Sequence, residues 1–263
     1  MREGSTVAMK VSAPMGMGRR WTVPLVAALL VAAVLSVGVF AAPQAVSGGS
    51  YRDCSGIALE PGAEMQRCDL AGATIIGLDL HEIVFARANL TGVNAGCDPD
   101  EPRTDLTDAR IYRALLVDAL LCDAILTGAD LHRSDLTNAS LEDATVRSAN
   151  LSRATLDGAS AGFAPFDDSN LANASWRDGS AIGASFDGAD MHRIDLRGTN
   201  LTAASLVGTD LRYARLDGVD FSGADLTGAT WRRATGLETA IFSDTTCPDG
   251  SNSDVNGGTC SPS

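Results

Sequence analysis

Ala129-Asp130-Leu131-His132-Arg133-Ser134-Asp135-Leu136-Thr137-Asn138-Ala139-Ser140-Leu141-Glu142-Asp143-Ala144-Thr145-Val146 repeats its own pattern every five residues. A bulky apolar residue returns at 131, 136, 141 and 146, and a small residue stands two places before each. A period of five matches neither the 3.6 of an amphipathic helix nor the 2 of an alternating strand. It suits a chain that turns a corner once per repeat, burying two residues and exposing three. Outward from this stretch the same register runs from Leu106 to Ile241, 28 positions of which only Ala161, Ala181 and Gly236 lack a bulky side chain. Two residues before these centres stand 19 alanines and seven Gly, Ser or Thr, with Ile194 and Val219 the exceptions. An earlier block centred on Leu70, Ile75, Leu80, Phe85 and Leu90 runs one residue out of phase. Residues 91–104, with Cys97, Pro99 and Pro102, read as an insertion between the two blocks.

Ala129-Asp130-Leu131, Ala149-Asn150-Leu151, Ala189-Asp190-Met191 and Ala224-Asp225-Leu226 carry a specific resemblance. The chain resembles the pentapeptide repeat proteins, whose consensus is A(D/N)LXX. The resemblance implies an all-β fold, a right-handed quadrilateral parallel β-helix of about eight coils, four pentapeptides to a coil. Some members of that family are acidic mimics of duplex DNA that bind DNA gyrase, a role that an exported chain could not fill; the rigid shaft, the cysteines, the export segment and the absent chemistry point instead to a non-catalytic scaffold or binding module. The expected organisation is a cationic and apolar leader at 1–45, and a linker and cap at 46–66. The β-helix follows at 67–242, interrupted at 91–104, with a polar tail at 243–263.

Four-fold coiling stacks residues twenty apart, so the outward residues form columns. Around the Ile111–Trp231 column stand eight arginines (110, 113, 133, 153, 193, 212, 232 and 233) against Asp130, Asp190 and Asp210, a local charge of about +5. The other three faces are acidic. Arg113, Arg133, Arg153, Arg193, Arg212 and Arg233 are therefore the candidate binding residues, an arginine ladder for an anionic polymer or the acidic face of a protein partner. In the column Leu121, Leu141, Ala161, Ala181, Leu201, two adjacent alanines leave room. Phe166, Trp176 and Phe186 at the same height are expected to fill it.

Composition narrows the function. Lys occurs once and His three times, so general acids, bases and metal ligands are scarce. Gly158-Ala159-Ser160-Ala161-Gly162 matches a nucleophile-elbow string, but Ser160 sits inside an unbroken repeat with no strand-to-helix turn. No catalytic site is expected. The whole chain is −13, with 20 basic against 33 acidic residues, which disfavours nucleic acid as a partner. Arg2, Lys10, Arg19 and Arg20 precede an apolar segment at 23–42, the pattern of an export signal or an uncleaved membrane anchor. Beyond residue 42 the chain has 16 Arg and 32 acids, or −16, and is expected outside the cytoplasm.

Six cysteines in an exported chain read as three disulfides, with fifteen connectivities open. Proximity in sequence favours Cys54 with Cys68, Cys97 with Cys122, and Cys247 with Cys260. In the tail, Asn252, Asp254 and Asn256 match the first half of a calcium loop, but no acidic residue stands at its twelfth position, Ser263. Calcium is the one cofactor this leaves open. An open solenoid end also allows end-to-end oligomers.

Overall fold

The computed structural model describes residues 51–260, apart from Ser55 and Pro99. The predicted leader and apolar segment at 23–42, and Ser263, lie outside these residues. Among the described residues no helix is long and apolar enough to cross a membrane. The one short helical element is a 3-10 turn, Ser253–Asn256, in the tail.

From Arg52 to Thr246 the bridges are parallel and build a β-helix, with one antiparallel bridge, Thr246 to Asn252, in the tail, and the repeat follows from where each backbone N–H finds a partner. The centre Ile111 donates to Asp130 O of the next coil (2.8 Å), and Arg113 to His132 O (3.0 Å). Asp130 donates back to Ala109 O (2.9 Å), and Ala114 closes the turn onto Ile111 O (3.2 Å). One N–H per repeat remains, on the residue after the centre. The Asp or Asn before the centre accepts it: Asp130 Oδ1 from His132 at 3.2 Å, Asn150 Oδ1 from Ser152 at 3.2 Å, Asp190 Oδ1 from His192 at 3.1 Å. The Ala-Asp/Asn-Leu signature thus has a cause at each position. Leucine fills the core, alanine fits the crowded inner turn, and the Asx side chain satisfies the last donor. Only the third turn residue has a positive φ, the pattern that a type II turn requires.

Bridges between stacked repeats define four columns. One runs through Glu64, Val84, Arg110, Asp130, Asn150, Asn170, Asp190, Asp210 and Thr230. Its steps are twenty residues except between Val84 and Arg110, where the step is 26. Six extra residues explain the one-residue phase shift, since 26 is five repeats plus one. The insertion is narrower than expected. Asn94 still bridges Leu120 and Ala95 is buried as a centre, so residues 91–95 form an ordinary repeat and the loop occupies 96–103, ending at the buried inner residue Thr104. The repeats also begin earlier, with Met65 a fully buried centre.

A second register change lies near the C-terminus. Asp220 bridges Ile241 across 21 residues, so Phe242 (6% exposed), not Ile241 (50%), faces the core. The extra residue is accommodated between Gly236 and Ala240, whose N–H bonds to Gly236 O. Ile241 had the right spacing for a centre but lies beyond that turn.

Beside the paired alanines, Trp176 packs edge-on against Phe166 and Phe186 at centroid distances of 5.5 and 6.0 Å, and its indole N–H donates to Ala159 O (3.1 Å). Ala161, Ala181 and all three rings are fully buried. Gly179 replaces the usual alanine here because a Cβ would collide with the Trp176 indole and lie 2.7 Å from Ala159 O. Cys54–Cys68, Cys97–Cys122 and Cys247–Cys260 are bonded. The first and last tie down the end segments, so Met65, Cys68, Phe242 and Cys247 are all buried at the ends of the core.

Candidate functional site

Each repeat places one residue at a corner with φ near +60°, in the left-handed region. Glycine, Asp and Asn suit that backbone, and one corner shows the usual choice: Gly62, Glu82, Asp108, Gly128, Ser148, Asp168, Gly188, Gly208, Gly228. A different corner reads Arg67, Arg87, Arg113, Arg133, Arg153, Asn173, Arg193, Tyr213, Arg233, with φ from 58° to 63°. It contains no glycine at all. Hydrogen bonds join its rungs in sequence: Arg113 N–H to His132 O, Arg133 to Ser152 O, Arg153 to Ala172 O. Backbone preference does not account for seven arginines there.

Five of the six candidate arginines share this corner. Arg212 does not; it stands one residue aside and bonds Asp210, Nε to Oδ1 at 2.9 Å and Nη2 to Oδ2 at 2.6 Å. Two ladder members were missed, Arg67 and Arg87. The signal was present: allowing for a 26-residue step, Arg87 falls in line with Arg113 and Arg67 lies twenty before it.

Ion pairing separates the ladder from five of the other arginines. Arg147, Arg177, Arg197, Arg212 and Arg215 all pair with aspartates. Burial pushes the Asp157 carboxyl up, but bonds from Arg177 and Ser175 outweigh it and hold it below its ordinary range. The same balance, with Arg197 as the donor, lowers Asp195. Arg212 lowers Asp210 directly. The seven ladder arginines are exposed and take part in none of the ion pairs among the described residues. Near the C-terminal end, the guanidinium carbons of Arg193 and Arg233 lie 5.6 and 5.5 Å from the Tyr213 ring centroid, and Arg233 bonds the Tyr213 hydroxyl at 3.1 Å. Beside the middle rungs Tyr112 stacks on His132 at 5.1 Å, and Asp130 holds His132 Nδ1 at 2.8 Å.

The other candidates are engaged locally. Asn252 caps the 3-10 turn, its Oδ1 accepting from Asp254 N–H (2.9 Å) while its amide donates to Asp244 (2.8 Å). Asp254 Oδ1 accepts from Asp244 N–H (3.0 Å), and Asn256 donates to Ser251 Oγ (2.8 Å). The three side chains serve the disulfide-closed tail, and among the described residues no three His, Cys, Asp or Glu are grouped to hold a metal ion. Ser160 lies in a ladder column between Ser140 and Ser180.

The family model for pentapeptide repeats matches eight copies, at residues 63–95, 104–143, 134–171, 164–202 and 204–234, which together cover more than half of the chain. Among solved structures the chain is similar to HetL, a pentapeptide repeat protein involved in heterocyst differentiation regulation in the cyanobacterium Nostoc. Identity is 27%, over 77% of this chain and 94% of that one, with a TM-score of 0.60. It is also similar to QnrB1, a plasmid-mediated fluoroquinolone resistance protein, at 17% identity over 64% and 90% of the two chains, TM-score 0.36. A pentapeptide repeat protein of the Arabidopsis thaliana thylakoid lumen is 23% identical over 54% and 71%, TM-score 0.15. No curated protein sequence is a significant match.

Proposed function

We propose that this chain, which belongs to the pentapeptide repeat family of right-handed β-helices, is a non-catalytic extracytoplasmic binding rod whose arginine corner docks an anionic partner. The observation that carries the reading is the corner itself. Seven arginines outside any ion pair among the described residues occupy a backbone position that favours glycine, while five others, Arg147, Arg177, Arg197, Arg212 and Arg215, are paired with aspartate. Three disulfides and the cationic-then-apolar leader support an oxidising compartment. A duplex-DNA mimic would need acidic charge along every face, and this corner is cationic.

The docking half is tested by retention on an immobilised polyanion. A variant with Arg113, Arg133, Arg153 and Arg193 changed to Ser should elute at clearly lower salt than the wild type, although net charge alone predicts that neither binds. Equal elution would remove the ladder from the function. Compartment is tested separately: a C-terminal tag should be open to protease added outside intact cells, and a protected tag would place the rod inside.

A further inference from the structure

The first five rungs, Arg67, Arg87, Arg113, Arg133 and Arg153, are consecutive. Stacked strands are about 4.8 Å apart, so the run is a straight row of guanidinium stems about 19 Å long. A partner must present a matching row of anions along a straight line.

This rests on the reading of the corner as an anion-docking surface, and it narrows the partner. We infer that the run binds a linear acidic polysaccharide, lying along the β-helix axis with about one sugar carboxylate opposite each rung.

Three arguments select it. Another copy of this chain is a poor occupant. It has the right pitch, but among the described residues no outward column carries more than two acids in succession. Glu82 with Asp108, Asp123 with Asp143, and Asp190 with Asp210 are examples. Nucleic acid and peptide have the wrong geometry. The phosphates of a duplex wind around its axis, so a straight corner meets only a few. An extended acidic peptide places same-side carboxylates about 6.6 Å apart, slipping more than one rung over the run. A pyranose chain advances by close to one rung per sugar.

The third argument is chemical. A guanidinium matches a carboxylate with two parallel N–H donors. The row is bordered by uncharged polar groups suited to sugar hydroxyls, among them Ser152, Thr155 and the Tyr112 phenol. Nearby acids are already engaged: Asp130 by His132 and Asn150, Asp135 by Thr137.

The test is equilibrium binding of the full chain to galacturonate oligomers of two to eight sugars at fixed ionic strength. Methyl-esterified oligomers, poly-glutamate and duplex DNA are the comparators. Affinity should rise with length to about five sugars and then flatten. Methyl-esterification and the R113S/R133S variant should each weaken binding at least tenfold. R177S, at a paired arginine off the ladder, should bind as wild type, and R113S/R133S should keep the wild-type melting temperature. Tighter or equal binding of poly-glutamate or DNA, or of the esterified oligomers, would overturn the polysaccharide assignment; in the first two cases anion docking itself would survive. Arginine-independent binding, or none to any polyanion, would overturn both.

Discussion

An arginine held at φ near +60° is strained relative to glycine, by roughly 1 kcal/mol or more. Neighbouring guanidinium groups one rung apart repel by about 1 kcal/mol before salt screening if they do not splay. Both effects oppose folding, and neither is relieved by an ion pair at Arg113, Arg133 or Arg153. Replacing Arg133 by glycine removes the strain and two repulsions, while giving the unfolded chain more freedom, worth about 0.4–1 kcal/mol the other way. R133G should therefore melt no lower than about 2 °C below wild type, while polyanion retention weakens. Thermal melting and salt elution on the same sample check this. A fall in melting temperature of more than about 5 °C would mean that the guanidinium column holds the coils together.

At the scale of the repeat, stacking tolerates an added residue and not a missing one. Extra residues leave the wall as a loop, as at 96–103, or as a tight turn, as between Gly236 and Ile241. A side short of one residue cannot span the corner. Removing six residues from 96–104, and leaving a three-residue turn such as Thr-Gly-Val copied from Thr91-Gly92-Val93, restores a twenty-residue step between Asn94 and its bridge partner Leu120. That variant should melt cooperatively, within about 10 °C of wild type after losing the Cys97–Cys122 bond. Removing seven should abolish the cooperative transition, and circular dichroism melts distinguish the two. The same asymmetry explains what could be read beforehand. Centres and inner alanines were legible because every one repeats its period, and the cysteine pairs because each joins near neighbours in sequence. Arg67 and Arg87 were obscured because the loop breaks the count by six. Ile241 misled because spacing alone cannot distinguish an exposed isoleucine from a buried one when a turn absorbs a residue just before it.

At the scale of the molecule, acidity is unevenly committed, and that fixes the response to pH. Asp157, Asp195 and Asp210 are held ionised in the folded state by arginines, so their carboxyls titrate below the unfolded value of about 3.9. Their contribution is fully present above that value and is lost as pH falls through the folded one. His81 works in the opposite sense. Its hydrogen bond to Asp79 raises it, so its contribution is present below about 6.5 and lost on the alkaline side, but the pair is exposed and the effect is small. Discharge of the many unpaired acids also relieves repulsion as pH falls, a term that physiological salt cuts to within about 8 Å. In 0.15 M salt the melting temperature should accordingly stay nearly level from pH 7 to about 5 and drop by about 5–10 °C by pH 3. The double variant D195N/D210N should begin lower and fall less over the acid limb. Each aspartate-paired arginine then serves stability, whereas the arginines of the corner, with no carboxylate of their own, should leave the acid limb unchanged when R113S/R133S is melted beside the wild type. A shallower limb in that variant would show that the corner is paired within the chain and not kept free for a partner.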